Sequence, residues 1–330
     1  MQVRRMQSED LKQVNSVFAK AFSNARVEEG LKNHRVSPCR LEFLKMYLDR
    51  SAEGAMVGED RGRVTGFNFN HLFGTTGWMG PVAVTPGYQG AGVGKSLVRE
   101  GINYLRARGA NIIGLETMPR NFRNIGFYLS LGFKTGPLCV DMVGPAHSGP
   151  GVERGCPGEV ISFNECSDST KEELLKGVAG ISETISPGLD YGREILLNLE
   201  HKYGDTVLLV NGNEVEGFAV CHLEPYGQLE DRRELKVNVL ALRPWREGAG
   251  GDIPEEQTLA GLSVLLSGVR ALAAREKLLI VRIHPRADKW SAMQMLLRWG
   301  YNVAYSDLRM WLSGFEESEP ASCVHFCRWQ

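Results

Sequence analysis

In the first half of the chain, segments whose apolar residues have the spacing of a strand alternate with segments whose apolar residues have the spacing of a helix. Two apolar runs bounded by turn residues, at 64–72 and 79–84, predict strands. Apolar residues at helical spacing predict helices over 93–108 and 122–131, with a strand over 111–117 between them. This alternation predicts a mixed α/β fold.

The second half of the chain repeats the first. The predicted strand at 64–72 matches residues 215–223, which places His71 opposite His222. Further matches pair residues 82–86 with 240–244 and residues 131–133 with 299–301. A two-copy repeat of about 150 residues is too long for a solenoid unit and predicts two domains of one fold.

The segment from Gly144 to Gly158 is rich in Gly and Pro, and its apolar residues have neither the spacing of a helix nor that of a strand. We therefore predict an N-terminal domain over residues 1–145 and a linker over 146–158. The second domain is predicted over residues 159–330.

The composition is that of an ordinary globular protein. The 330 residues carry 38 Lys and Arg against 39 Asp and Glu, so no basic excess predicts nucleic acid or a membrane as a partner. Seven scattered cysteines without a CxxC pair predict free thiols in a cytoplasmic protein, and no metal site. The longest apolar stretch, 259–274, is shorter than the ~18 residues of a membrane span and predicts a buried helix.

A glycine-rich loop follows the strand that ends at Val84 and leads into the helix predicted from residue 93. The loop and helix start consist of Gln89, Gly90, Ala91, Gly92, Val93, Gly94, Lys95 and Ser96. Alternating glycines at a helix start allow positive φ angles, so free amides can bind phosphate oxygens.

This loop has four alternative interpretations. A Walker A motif is not met, because Gln89 stands where glycine is required. A dinucleotide fingerprint is not met, because the glycines run G-x-G-x-G. A nucleotide site that uses Lys95 and Ser96, and a tight turn without any ligand, remain alternatives to the phosphate site.

Two motifs resemble those of one family. Gln89-x-x-Gly92-x-Gly94 resembles the acyl-CoA loop of the GCN5-related N-acetyltransferase (GNAT) family. Residues 121–133 are similar to the family's N-x-x-A-x-x-L-Y-x-x-x-G-F, with Asn124 in place of Ala and Phe127 in place of Leu. The resemblance implies an α/β fold of two tandem GNAT-like domains, each a mixed, mostly antiparallel sheet flanked by helices, of which the second is degenerate.

The resemblance also implies acetyl-CoA as cosubstrate and assigns roles to residues. Main-chain groups of Val82, Ala83 and Val84 would bind the pantetheine arm, and the loop from Gln89 to Ser96 would hold the pyrophosphate. Asn121 matches a side chain that contacts the cofactor. Tyr128 matches the tyrosine that protonates the CoA thiolate, and a core position is its alternative.

The general base has two candidates. Glu116 lies near the end of the strand over 111–117, where this fold places its active site, and could accept a proton from the amine. His71 has a reference pKa of about 6.5, which suits base work at neutral pH. The matching His222 favours a structural role for His71, a strand-end glutamate is often only solvated, and a water chain would need neither residue.

The second half departs from both motifs. Its loop at 243–252 lacks the glycine spacing, and Leu296 and Lys289 stand where Tyr128 and Asn121 are expected. We therefore predict one CoA per chain, bound by the first half, and transfer to a small-molecule or peptide amine by a monomer or homodimer. The segment at 28–35 corresponds to the acceptor region of the family. A non-catalytic acyl-CoA sensor or scaffold is the alternative.

Overall fold

The predicted elements of the first half are present within two or three residues of their predicted bounds. The computed structural model describes residues 2–31, 35–147, 158–228, 233–244, 255–319 and 323–328. The first half contains β1 (Gln2–Arg5), α1 (Leu11–Glu28), α2 (Leu41–Arg50), β2 (Met56–Asp60), β3 (Arg63–Phe73), β4 (Thr76–Val84), α3 (Val93–Ala107), β5 (Ile112–Thr117), α4 (Phe122–Ser130) and β6 (Phe133–Pro145).

The second half repeats this order and adds one strand. It contains β7 (Glu159–Ser162), α5 (Asp168–Ile185), α6 (Gly192–Glu200), β8 (Gly204–Asn211), β9 (Glu214–His222), β10 (Glu234–Leu242), α7 (Glu255–Arg275), β11 (Ile280–Ile283), α8 (Trp290–Arg298), β12 (Asn302–Leu312) and β13 (His325–Cys327). The predicted repeat is confirmed. Most of the predicted linker, residues 148–157, lies outside the described residues.

The apolar stretch at 259–274 forms the middle of α7, as predicted. Leu262, Leu265 and Val269 on this helix are fully buried against the sheet of the second half. Over the described ranges, no helix is both long enough and apolar enough to cross a membrane.

The strands join one continuous sheet with a symmetric order. The order is β1-β2-β3-β4-β5-β12-β6-β11-β10-β9-β8-β7, and β13 pairs with β10. Only β4 with β5 and β10 with β11 are parallel, so each half is mixed and mostly antiparallel, as predicted. Each strand of the first half has its repeat equivalent at the same distance from the centre.

The two halves exchange one pair of equivalent strands, β6 and β12, at this centre. Strand β12 lies between β5 and β6, and β6 lies between β12 and β11. Packing follows the exchange, because Met142 of β6 is buried among second-half side chains and Met310 of β12 among first-half side chains. The units predicted at 1–145 and 159–330 are therefore repeats of sequence, but the sheet of each half includes a strand from the other.

Helices cover both faces of the first half. Ala83 of β4 packs in the cluster formed with α1 and α2, whereas its neighbours Val82 and Val84 pack on the opposite face with α3 and α4. This alternation is the period of a strand that is buried on both sides. It sets the end of β4 between two layers of helices.

Candidate active site

Strands β4 and β5 separate part-way along their length. They pair in parallel from Thr76↔Ile112 to Trp78↔Gly114, and the described residues form no further pair between them. The opposite edge of β5 pairs with β12 as far as Thr117. Strand β4 continues to Val84 and pairs with β3 on its own far edge. The other edge of β4 therefore has no strand partner among the described residues over 79–84, which includes all three predicted pantetheine contacts, Val82, Ala83 and Val84.

The side chains at this gap are apolar and include Tyr128. Met79 and Leu115, the first residues beyond the last pair, share a buried cluster with Tyr128 and Val82. Tyr128 is 7% exposed, and burial raises its pKa to about 12. Its ring packs as a core residue, and this packing holds a protonated phenol beside the gap.

The glycine-rich loop leads from the end of β4 into α3. Gly92 stands at the N-cap of α3 with φ of 84°, and Gly90 has φ of 83°. Any residue with a side chain is strained at such angles, so these positions favour glycine for backbone reasons. The first amides of a helix have no intrahelical acceptor, and the helix dipole favours an anion there. The loop therefore has the conformation that a phosphate site requires.

Loop, strand and helices converge at Gly94. A side chain at Gly94 would contact Val84 of β4 and Phe127 of α4. Gln89 donates a hydrogen bond from Nε2 to the Val84 carbonyl at 3.3 Å, which ties the loop to the strand. Among the other predicted contacts, Ala91 and Lys95 are exposed, Ser96 is half-buried and Val93 is buried.

Asn121 caps α4 and keeps one donor unused. Its Oδ1 accepts a hydrogen bond from the Asn124 amide at 3.0 Å, which fixes the orientation of the side-chain amide. Its Nδ2 is buried and has no hydrogen-bond partner. An unsatisfied buried donor costs about 1–3 kcal/mol, so this atom fits an acceptor supplied by a bound ligand.

Glu116 is buried in an ion-pair network and is not a solvated strand end. Its Oε1 accepts a hydrogen bond from Arg309 Nη2 at 2.7 Å, and its Oε2 lies 3.3 Å from His284 Nε2. Burial acts to raise the pKa of Glu116, but Arg309 and His284 outweigh it and hold this pKa at about 2. A carboxylate with this pKa is a weak base.

His71 lies between the two halves. It faces Trp78 across β3 and β4 and is 2% exposed, and over the described ranges neither ring nitrogen has a hydrogen-bond partner. Burial and the Arg50 guanidinium hold the pKa of His71 well below its usual range, so the ring is neutral at pH 7. It lines a small cavity of about 10 Å³ together with Glu194 of the second half, which is room for about one water.

Comparison with known proteins finds a family match within the first half. Residues 19–133 match the acetyltransferase (GNAT) family model. The match covers 115 of the 330 residues and does not extend into the second half. A mycothiol acetyltransferase from Saccharomonospora viridis is 37% identical over 90 residues, which are 27% of this chain and 29% of that relative. The chain thus matches less than a third of that relative's length.

Solved structures show that the GNAT fold extends over both halves. A GCN5-related N-acetyltransferase from Sphaerobacter thermophilus has a TM-score of 0.61 at 12% identity, covering 97% of this chain and 98% of that chain. A tandem GNAT protein from the clavulanic acid biosynthesis pathway has a TM-score of 0.58 at 14% identity, covering 94% and 97%. The protein therefore has a tandem GNAT fold.

In the second GNAT half, the matching gap is filled by the chain itself. Strands β10 and β11 also separate after three pairs, at Lys236↔Arg282, the equivalents of Trp78 and Gly114. Strand β13 then pairs with β10 from Val239↔Cys327 to Ala241↔His325. Where β4 of the first GNAT half has an edge without a strand partner in the described part of the chain, β10 pairs with a strand from the C-terminal segment.

The motif positions of the second GNAT half are occupied as the repeat predicts. Lys289 stands at the N-cap of α8, as Asn121 does on α4, but makes no side-chain cap. Leu296 is fully buried at the position of Tyr128. The loop predicted at 243–252 lies, from residue 245 on, outside the described residues.

The predicted acceptor segment connects the first GNAT half to β12. Glu29 is buried, pairs with Arg26 at 3.1 Å and accepts a hydrogen bond from Tyr305 of β12 at 3.3 Å. Glu28 pairs with Arg123 of α4 at 3.0 Å. Residues 32–34 lie outside the described residues. Tyr305, Arg309 and His284 are second-half residues at first-half positions, which the sequence analysis missed.

Proposed function

We propose that this protein transfers an acetyl group from acetyl-CoA to a primary amine. The observation that carries the proposal is the gap between β4 and β5, next to the start of α3. An extended amide-containing arm can pair with a strand edge, and its phosphates suit a helix N-terminus. The match to the acetyltransferase family supports the acyl-transfer class.

The residues that would hold acetyl-CoA fit its parts. Main-chain groups of Val82, Ala83 and Val84 would pair with the pantetheine amides. The amides of residues 89–94 would hold the pyrophosphate, with the exposed Lys95 adding positive charge. The unused Nδ2 of Asn121 would donate to the same substrate.

The proposed chemistry is direct aminolysis. The amine nitrogen attacks the thioester carbonyl carbon, a C–N bond forms, the C–S bond breaks and the thiolate takes up a proton. A backbone N–H at the end of β4 would stabilise the developing oxyanion. Tyr128 would give the proton, because its raised pKa keeps the phenol protonated at neutral pH.

For the general base, the environments favour His71 over Glu116. A base must be unprotonated, and the buried His71 ring is neutral at pH 7. Burial lowers the pKa of His71 as well, but its neutral ring forms no ion pair that a proton would break, whereas Glu116, with a pKa of about 2, is held as a carboxylate by Arg309 and His284. We propose that a proton from the amine reaches His71, with the water-sized cavity beside it as the further path.

The acceptor would approach between the end of α1 and β12. The predicted acceptor segment, residues 28–35, meets β12 through the hydrogen bond that Tyr305 donates to Glu29. The second half would thus shape the acceptor site rather than bind a second CoA. The acceptor of the mycothiol relative is not carried over, because the match spans 29% of that protein.

The proposal is tested by thiol release from acetyl-CoA with a panel of small amines and peptides, alongside calorimetry with CoA. Thiol release that depends on an amine, together with one CoA bound per chain, supports it. Tight CoA binding without release for any amine would favour the acyl-CoA sensor or scaffold. Binding of ATP-Mg²⁺ in place of CoA would favour the nucleotide alternative.

A further inference from the structure

Three potential metal ligands meet where the halves exchange strands. Glu116 comes from β5, Cys139 from β6 and His284 from the residue after β11. One ligand atom from each of the three lies within 4.8 Å of the others. The side chains of Glu116 and His284 are each 1% exposed, and Cys139 is fully buried.

Three polar atoms in this cluster have no hydrogen-bond partner among the described residues. Glu116 Oε1 accepts a hydrogen bond from Arg309, and the three atoms without a partner are Glu116 Oε2 and the two ring nitrogens of His284. Each buried polar atom left without a partner costs about 1–3 kcal/mol. Three such atoms on two adjoining side chains, next to a buried thiol, indicate that a further group belongs between them.

The spacing favours a metal ion over a direct ion pair. His284 Nε2 and Glu116 Oε2 are 3.3 Å apart. A charge-assisted hydrogen bond brings nitrogen and oxygen to about 2.7–2.9 Å, so this pair is too far apart for a strong one. Two ligand atoms at 2.0–2.1 Å from a tetrahedral zinc ion lie about 3.3 Å from each other.

We propose that Glu116, Cys139 and His284 bind one Zn²⁺ ion, with a fourth position left for water. Thiolate, imidazole and carboxylate together are a donor set that zinc prefers. Binding deprotonates the Cys139 thiol and releases this proton to solvent, and the sulfur–zinc bond takes its place.

The surroundings suit such a site. Asp141 Oδ1 lies 3.8 Å from the other ring nitrogen of His284, the place where zinc-bound histidines usually have a carboxylate. Asp141 is itself fixed by Arg282 at 2.8 Å and Arg328 at 3.2 Å. Because Glu116 and Cys139 belong to the first half and His284 to the second, the ion would join the halves at their centre.

The rival occupant is a proton. A protonated His284 between Glu116 and Asp141 would balance the same charges without a metal. The two occupants differ in what happens to Cys139, since only a metal uses its sulfur. Variants of this cysteine therefore separate them, and Cys221, another fully buried free cysteine, provides the matched control.

The first experiment measures zinc in the full-length protein, purified without chelators, by inductively coupled plasma mass spectrometry. We expect about one zinc per chain in the wild type and in Cys221→Ser, and a loss of most of it in Cys139→Ser. Circular dichroism verifies that both variants are folded. Zinc retained by a folded Cys139→Ser protein would overturn the proposal.

The second experiment does not depend on how the protein was purified. Metal-depleted protein is titrated with Co²⁺, whose bond to a thiolate gives a charge-transfer band in the near ultraviolet. We expect the band to saturate at about one Co²⁺ per chain in the wild type and in Cys221→Ser, and to be missing in Cys139→Ser. A wild-type protein without this band would establish the proton as the occupant.

Discussion

The same gap is present in both halves of the molecule, and within the described residues a strand fills it in only one of the two. In the first half, β4 and β5 separate after Trp78↔Gly114 and the edge of β4 has no strand partner among the described residues. In the second half, β10 and β11 separate after Lys236↔Arg282, and β13 pairs with the exposed edge. The comparison teaches that the fold supplies a strand edge in each half. An extended ligand can pair only with an edge that no strand of the chain already occupies.

The largest effect is expected at the phosphate loop. Gly92→Val forces a branched side chain into φ of 84°, which shifts the helix start and its amides. Two lost amide contacts to an anion correspond to a fall in CoA affinity of about 100-fold or more. Calorimetry with CoA measures this fall.

Gly109→Val is the matched control for this prediction. Gly109 has φ of 80°, a side chain there would meet no neighbour, and it follows the other end of α3. Both variants pay the same backbone strain, about 1–2 kcal/mol, but Gly109→Val keeps the amides of the loop. Equal loss of CoA binding in both variants would remove the loop from the site.

The next effect concerns Tyr128, which distinguishes the halves because Leu296 replaces it in the second. Tyr128→Phe removes the proton donor and keeps the ring, so turnover should fall by about 10–10⁴-fold with CoA affinity little changed. The control is Tyr104→Phe in α3. It removes a hydroxyl that lies within hydrogen-bond distance, 3.0 Å, of the Ser51 hydroxyl at the end of α2. Turnover is measured by steady-state kinetics. Unchanged turnover in Tyr128→Phe would show that this tyrosine only packs in the core.

The pH profile of kcat gives a third, smaller effect. Burial raises the pKa of Tyr128 to about 12, so the acid form persists and no fall due to tyrosine ionisation is expected below about pH 11. The base His71 is active when neutral, and burial lowers its pKa, so the rising limb should lie well below the pH of about 6.5 expected for an exposed histidine. His71→Gln should remove that limb, and a limb that persists in this variant would assign the base elsewhere.

The smallest effect is expected when the second half is given the missing side chains. In the double variant Leu296→Tyr with Lys289→Asn, the edge of β10 is still paired with β13. We therefore expect calorimetry to give one CoA per chain, as in the wild type. Two equivalent sites in this variant would show that side chains, rather than the occupied edge, exclude CoA from the second half.

Local features of this fold could be predicted from the sequence, and long-range pairing could not. The elements from β3 to α4, the glycine loop and the positions of Lys289 and Leu296 depend on short stretches with their own period or motif. Strand β12 could join β5 or its repeat equivalent β11. The sequence does not distinguish these two edges, because both repeats have the same pattern of apolar residues. Strand β13 is three residues long, too short for a period.

The candidate bases show the same limit at the level of single residues. A strand-end position made Glu116 a plausible base, because its sequence neighbours do not reveal the partners brought by β12 and β11. Arg309 and His284, which hold its pKa at about 2, are more than 160 residues away along the chain. The sequence located His71 and Glu116 on the right strands but could not rank them.

The exchanged strands also constrain how the chain is made. During synthesis the first half emerges complete in sequence, but the partner of β5 at the centre of the sheet is β12, which is completed only at Leu312. At about 5–20 residues per second, this interval lasts roughly 10–30 seconds. Over that time an unpaired strand edge is exposed on the nascent chain, which is a site where aggregation starts. A chaperone that binds exposed strands is therefore expected to engage this protein while it is still on the ribosome.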